Sequence, residues 1–120
     1  MKLAVLLLCM GAALAVANDA RAWFANQWRS PTRNIACKFY PDLDAVRCET
    51  ENDAFALGLV RGGGRAFRTN YVNIPYRVPV LPYGNTWRGG GIRCASSFNG
   101  MTCTTGGHGF FINRTRYKLW

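Results

Sequence analysis

Acidic side chains are absent from the second half of this 120-residue sequence. All six aspartates and glutamates precede residue 54, and the formal net charge of the whole chain is +9. Such an asymmetric charge distribution indicates an anionic partner: an anionic polymer such as a wall polymer or a nucleic acid, a lipid surface, or an acidic protein face. General solubility is the alternative explanation. The basic residues after position 53 are Arg61, Arg65, Arg68, Arg77, Arg88, Arg93, Arg114, Arg116 and Lys118.

Long apolar runs are absent after the first segment of the chain. Lys2 precedes an almost wholly apolar stretch from Leu3 to Val16, and the small residues around Ala17 match a signal-peptide cleavage site. We therefore predict a signal peptide over residues 1–17, with a second fitting cleavage site after Ala22. The run is shorter than the roughly 20 residues that a membrane-spanning helix needs. The sequence thus predicts a secreted or periplasmic protein without a transmembrane segment in its mature chain.

Closely spaced cysteine pairs are also absent, which argues against a zinc site. Of the five cysteines, Cys9 lies in the predicted signal peptide. The even set that remains in an exported chain of this size indicates disulfide bonds, and three pairings are possible. The acidic residues between positions 42 and 53 lack the spacing of a calcium-binding loop, and we predict neither a metal site nor a cofactor. The remaining cysteines are Cys37, Cys48, Cys94 and Cys103.

Helical periodicity is lacking as well, whereas alternation of apolar and polar residues recurs. The turn residues Pro41–Asp44 separate two such alternating segments. Pairing Tyr40 with Ala45 across this turn places Cys37 opposite Cys48. The sequence therefore predicts a first hairpin closed by a local disulfide.

A second hairpin is predicted around Ser97–Gly100. A two-residue Asn-Gly turn would set Cys103 opposite Ser96. A four-residue loop with Gly100 in the left-handed conformation instead faces Cys94 with Cys103. We favour the longer loop because it allows the bond to form. The two predicted disulfides are Cys37–Cys48 and Cys94–Cys103.

The other parts of the chain also favour short strands. Residues 55–60 and 66–68 flank a glycine-rich turn and predict a third strand–turn–strand unit. Residues 69–88 contain three prolines and are expected to form an edge, a loop or both. We predict an all-β fold, a small compact sandwich or barrel of short antiparallel strands and hairpins, in a single domain over residues 28–120 without an internal repeat.

Residues 110–120 are predicted to form one extended strand. Because side chains alternate along a strand, Arg114, Arg116 and Lys118 would lie on one face of it. We regard these three residues as the best candidate anion-binding patch, with Arg88 and Arg93 as further candidates.

Seven short motifs occur in one order along the chain. They are Trp28-Arg-Ser-Pro-Thr-Arg-Asn-Ile-Ala-Cys37, Val46-Arg-Cys-Glu49, Leu81-Pro-Tyr-Gly84, Gly90-Gly-Ile-Arg-Cys94, Gly100-Met-Thr-Cys-Thr104, Gly107-His-Gly-Phe110 and Arg114-x-x-Tyr117-x-Leu-Trp120. Together they resemble a family of small exported, disulfide-bonded bacterial domains of unknown function, commonest in actinobacteria. The resemblance covers roughly residues 28–120 and implies export, a single cysteine-bridged domain and β structure, but no activity. Members of that family usually carry two more cysteines, in the segments that match residues 54–60 and 67–70, and both are missing here.

A second histidine is absent, and one interpretation makes His108, the only histidine, a general base between flexible glycines. A general base needs an orienting acid or a nucleophile within hydrogen-bonding distance, and the sequence brings no candidate close to it. A turn histidine between glycines is the alternative. The candidate partners of His108 are Glu49, Ser30, Ser96 and Ser97.

We therefore predict a non-enzymatic exported domain that binds an anionic partner. One alternative is an inhibitor or toxin-like protein that recognises a specific protein through arginines and aromatic side chains. A less supported alternative is a small secreted hydrolase that uses His108.

Overall fold

Two five-stranded antiparallel sheets form the part of the chain that the computed structural model describes, residues 25–120. The predicted signal peptide lies outside these residues. Sheet 1 contains β1 (Gln27–Arg29), β2 (Ile35–Tyr40), β3 (Ala45–Thr50), β4 (Ala56–Val60) and β5 (Phe67–Arg68). Sheet 2 contains β6 (Thr86–Gly89), β7 (Ile92–Ser97), β8 (Gly100–Thr105), β9 (His108–Ile112) and β10 (Tyr117–Leu119).

Each sheet is a simple meander in which every strand pairs with the next one along the chain. The all-β prediction is confirmed, and the architecture is a sandwich of the two sheets. Residues 25–120 contain no helix of the length and apolar character that crossing a membrane requires.

The first hairpin has the predicted register. Tyr40 pairs with Ala45, and Cys37 pairs with Cys48. Pro41–Leu43 forms a single turn of 3₁₀-helix, and Asp44 closes it at a φ of 45°. Aspartate tolerates this left-handed conformation better than most residues do. The proline therefore sets the turn and the aspartate returns the chain to the sheet.

The second hairpin has the predicted pairing of Cys94 with Cys103, but its loop is shorter than expected. Ser97 pairs with Gly100, so that two residues rather than four connect β7 to β8. Gly100 belongs to the strand, with a φ of +153°. A Cβ atom at this position would lie 2.5 Å from the carbonyl oxygen of Ile112. The predicted loop length is wrong. Gly100 is needed where β9 comes close to β8, and it is not part of the loop.

The two predicted disulfides are confirmed and meet inside the sandwich. Cys37 is bonded to Cys48, and Cys94 is bonded to Cys103. The sulfur atoms of Cys48 and Cys103 lie 3.8 Å apart, one from each sheet. Beside them the indole rings of Trp28 and Trp87 stack with their centroids 4.4 Å apart. The core is therefore shared equally between the sheets.

The inward-facing residues of the two sheets follow the same order, which the sequence analysis did not detect. In sheet 1, Trp28 pairs with Cys37, which pairs with Cys48. In sheet 2, Trp87 pairs with Cys94, which pairs with Cys103. The two meanders thus correspond strand for strand although the intervening sequence differs. The sequence shows no internal repeat, and the correspondence lies in the pairing of the strands.

Most of the irregular segment 69–85 lies against sheet 1, as the edge-or-loop prediction allowed, and its end reaches sheet 2, where Gly84 and Asn85 form backbone hydrogen bonds with Ser96. The amide of Arg29 donates to the carbonyl of Pro79 (2.9 Å), and the amide of Leu81 donates to the carbonyl of Arg29 (2.8 Å). Residues 79–81 therefore run beside β1. The residues before them lie across the outer face of sheet 1, where Ala36 and Ala56 point outward and are nevertheless buried.

The predicted single strand over residues 110–120 is wrong. The chain turns after β9 and returns as the antiparallel strand β10. The side-chain oxygen of Asn113 accepts hydrogen bonds from the amides of Thr115 (3.0 Å) and Arg116 (2.9 Å). An asparagine that bonds its own downstream backbone forms a turn without glycine or proline, and the alternation of residue types along this segment does not reveal it.

Candidate anion-binding face

The outer face of sheet 2 carries two rows of cross-strand neighbours. One row runs from Arg88 through Arg93 and Thr104 to Gly109. The other row contains Thr86, Ala95, Thr102, Phe111 and Lys118. Paired residues of antiparallel strands point to the same side of a sheet. Because the alternate residues, such as Trp87 and Cys94, are buried in the core, both rows face outward. We call this surface the basic face.

Arg88 and Arg93 are directly opposite each other at one end of the basic face. Both side chains are exposed, and like charges at opposite positions destabilise a sheet. The Nε of Arg93 donates to the hydroxyl of Thr104 at 3.3 Å. Asp44 lies at this end, with its carboxylate near Gly90. Within residues 25–120, the one ion pair joins Arg29 to Glu51, so neither arginine has a carboxylate partner there.

A shallow groove of about 560 Å³ lies beside this arginine pair. Four glycines border it: Gly89 at the end of β6, Gly91 in the turn before β7, and Gly106 and Gly107 in the turn between β8 and β9. A ligand can therefore approach the backbone closely at this end. The groove is lined by Arg88, Gly89, Gly91, Ile92, Arg93, Thr104, Thr105, Gly106 and Gly107.

Aromatic side chains join the cations along β9 and β10. The guanidinium of Arg116 lies 5.9 Å from the centroid of the Phe111 ring. The indole of Trp120, 38% exposed, covers Gly109, where a Cβ atom would lie 3.0 Å from it. A groove of about 550 Å³ is lined by Phe111, Arg116 and Trp120, together with Lys118. Such a surface offers charged donors and apolar ring faces at the same place.

The predicted patch of Arg114, Arg116 and Lys118 is only partly assembled. Arg116 and Lys118 line the groove on the basic face, where Arg88 and Arg93 also lie. Arg114 sits in the turn after β9, and its carbonyl accepts a hydrogen bond from the side chain of Asn52 at 3.4 Å. The three residues do not share one face because the turn at Asn113 interrupts the strand that would have aligned them.

Arg114 lines a separate cleft of about 240 Å³ at the other end of the sandwich. The same cleft includes Tyr83 and Phe98, whose ring centroids are 5.8 Å apart. Phe98 is 86% exposed at the tip of the β7–β8 hairpin. Exposed aromatic side chains beside an arginine are the combination that the protein-recognition alternative predicts.

His108 lies at the beginning of β9, half-buried and paired with Thr105. Three of its four candidate partners form other hydrogen bonds. The hydroxyl of Ser30 accepts from the amide of Ile35, Glu49 accepts from two amides of the irregular segment, and the hydroxyl of Ser97 donates to the carbonyl of Gly100. The hydroxyl of the fourth, Ser96, is buried and has no hydrogen-bond partner among the described residues. The one ion pair within residues 25–120 joins Arg29 to Glu51, so no carboxylate is paired with His108 there.

Among the residues of the basic face that the sequence analysis did not single out are Thr102, Thr104 and Phe111. They alternate with buried residues along β8 and β9, so period-two alternation was the available signal. That signal becomes informative only when the neighbouring strands are known, because a face is made of side chains from several strands.

The part of the chain that forms sheet 2 also has a counterpart among known families. A family model described as a family of unknown function (DUF6636) matches residues 75–120. A search of curated proteins finds no match, and neither does a search of solved structures. The match supports a domain of unknown function over this segment, which contains every residue of the basic face.

Proposed function

We propose that this protein is an exported, non-enzymatic domain that binds an anionic partner through the basic face. The observation that carries the proposal is the exposed pair of Arg88 and Arg93 on adjacent strands. Sheet 2 contains no aspartate or glutamate at all. No carboxylate of sheet 2 therefore offsets the repulsion between the two guanidinium groups, and a bound anion would offset it.

The chemistry of the pair suits oxygen anions. A guanidinium presents several N–H donors in a planar fork that matches carboxylate and phosphate groups. Arg116 and Lys118 continue the positive charge toward the aromatic groove. An elongated anionic ligand would therefore contact both ends of the face.

Export is supported by the covalent structure of the domain. Two disulfides persist in oxidising compartments and are rare in the cytosol. The predicted signal peptide points in the same direction. A secreted or periplasmic location remains part of the proposal.

The first experiment compares two variants that remove equal charge from opposite faces of the sandwich. The test variant is Arg88→Ser/Arg93→Ser. The control is Lys38→Ser/Arg47→Ser, because Lys38 and Arg47 are paired on the outer face of sheet 1. Each of these two cations also lies within 6 Å of the Tyr40 ring, at 5.0 and 5.7 Å.

The measurement is retention on immobilised heparin, on polyphosphate and on anionic vesicles as the salt concentration rises. We expect wild-type retention to fall with salt, since ionic contacts are screened. The test variant should elute at clearly lower salt than the control. Equal elution of the two variants would mean that net charge alone governs binding, and the proposal would fail. Salt-resistant binding of a protein partner that Phe98→Ser abolishes would instead favour recognition at the hairpin tip.

A further inference from the structure

The correspondence between the two sheets extends to one row of outward-facing residues. In sheet 1, the row beside the tryptophan–cysteine row is Arg29, Ala36, Glu49 and Ala56. In sheet 2, the corresponding row is Arg88, Arg93, Thr104 and Gly109. An arginine directly follows the core tryptophan in both sheets. The two rows can therefore be compared position by position.

The row of sheet 1 is covered by a polypeptide segment of the same chain. The guanidinium of Arg29 donates to the carbonyls of Ile74 (2.7 Å) and Pro75 (3.2 Å). The carboxylate of Glu49 accepts hydrogen bonds from the amides of Val72 (2.6 Å) and Ile74 (3.0 Å). Side chains of this row thus bind the backbone of the polypeptide that lies over them.

Small residues allow that segment to come close to sheet 1. Ala36 and Ala56 are 1% and 2% exposed although they point outward, and Arg29 is 2% exposed. The row is therefore a complete binding surface for a polypeptide. Its single positive and single negative side chain leave it neutral.

The row of sheet 2 has the same form, but only its last position is covered, where the indole of Trp120 lies over Gly109. Its arginine end is open. Arg88 and Arg93 are exposed, and among residues 25–120 no hydrogen bond from the guanidinium of Arg88 is formed. Arg93 stands at the position of Ala36 and Thr104 at the position of Glu49, so that this row carries two positive charges and no negative charge.

We propose that the anionic partner is an acidic polypeptide segment, which lies across this row as residues 72–75 lie across the row of sheet 1. Arg88 donates to its backbone carbonyls, as Arg29 does to those of Ile74 and Pro75. A carboxylate of the segment lies between Arg88 and Arg93. The inference rests on the proposed function and specifies its ligand. A polypeptide is favoured over a phosphate polymer or a lipid because the corresponding row binds peptide groups.

The experiment is a titration of the ¹⁵N-labelled protein with a short peptide of alternating glutamate and serine. Two comparison ligands of matched charge, inorganic polyphosphate and a single-stranded oligodeoxynucleotide, test whether any anion binds. A third, a depsipeptide with the same side chains as the peptide, tests the role of the backbone amides. We expect the peptide to shift the Nε–H signal of Arg88 and the amide signal of Gly109. The depsipeptide should bind more weakly, because ester carbonyls are poorer acceptors than amide carbonyls.

The variants define the site. Arg88→Ser/Arg93→Ser should weaken peptide binding by about tenfold or more, the effect of removing charge-assisted hydrogen bonds. The control Lys38→Ser/Arg47→Ser should change it by less than about threefold.

Two results overturn this inference and leave the proposed function intact. In the first, polyphosphate or the oligonucleotide binds the basic face as tightly as the peptide does, and the depsipeptide binds as tightly as the peptide. The other is self-association of the protein in sedimentation experiments through the same face, which would make a second copy the occupant. If no ligand binds the basic face in a salt-sensitive manner, the proposed function fails as well.

Discussion

Arg29 and Glu49 hold a segment that has no strand partner of its own. Arg29 is buried, and its guanidinium donates to the carbonyls of Arg33, Ile74 and Pro75 and to the carboxylate of Glu51. Glu49 uses both carboxylate oxygens to accept backbone amides. These hydrogen bonds take the place of the backbone hydrogen bonds between strands, which the prolines of this segment cannot donate. Without them, several backbone groups of the segment would be left without partners.

The substitution Glu49→Gln tests this role at the scale of one residue. A glutamine amide can accept one of the two amide hydrogens, but its own NH₂ group then faces the other. We expect the free energy of unfolding to fall by about 1–3 kcal/mol, the penalty of a buried polar group that loses its partner. Urea denaturation followed by circular dichroism measures this change.

The matched control is Asp53→Asn, at an exposed carboxylate that forms no ion pair within residues 25–120. A substitution at such a surface position changes stability by about 0.5 kcal/mol or less, so the control should lose less stability than Glu49→Gln does. Equal losses for the two variants would show that Glu49 does not anchor the segment.

At the scale of the element, each sheet contains one hairpin closed by a disulfide. The bonded cysteines are 11 residues apart in the first hairpin and 9 in the second. A cross-link stabilises mainly by restricting the unfolded chain, by an amount that grows only slowly with loop length. The two bonds should therefore contribute similarly.

Two double variants test this expectation, Cys37→Ala/Cys48→Ala and Cys94→Ala/Cys103→Ala. We expect each to lose about 2.5–3 kcal/mol of unfolding free energy in the chain-entropy account. Because the bridges touch at 3.8 Å, the losses should not be additive in the quadruple variant. A double variant with unchanged stability in urea denaturation would contradict the bracing role of its disulfide.

At the scale of the whole molecule, the two sheets share one core rather than two. Trp87 of sheet 2 stacks on Trp28 of sheet 1, and its ring lies 4.8 Å from that of Phe39. Neither meander can bury its inner face without the other. The sandwich should therefore unfold as a single cooperative unit.

The substitution Trp87→Phe tests this cooperativity. It removes part of a buried ring from the junction of the sheets, and we expect a loss of roughly 1–3 kcal/mol. Thermal unfolding should still show one transition, with amide signals of both sheets lost together. The control Trp120→Phe, at a half-exposed ring, should change stability by no more than about 0.5 kcal/mol. Separate transitions for the two sheets would show that they are independent units.

The local features of this protein follow from residues that are close together in the sequence. Proline and aspartate at the first turn, together with alternating residues on both sides, specify the register that brings Cys37 to Cys48. The requirement that Cys94 reach Cys103 specifies the second register. These features depend on residues close in the chain, where few geometries are possible.

The tertiary structure alone decided the composition of the basic face. Arg88 meets Arg93 across a hairpin, but Lys118 arrives from β10 and Arg116 from the position just before it, after Asn113 has turned the chain. The correspondence of the two rows, and the cover over one of them, depend on contacts between residues far apart in the chain. Such contacts follow from the packing of the shared core, and no local pattern of residues encodes them.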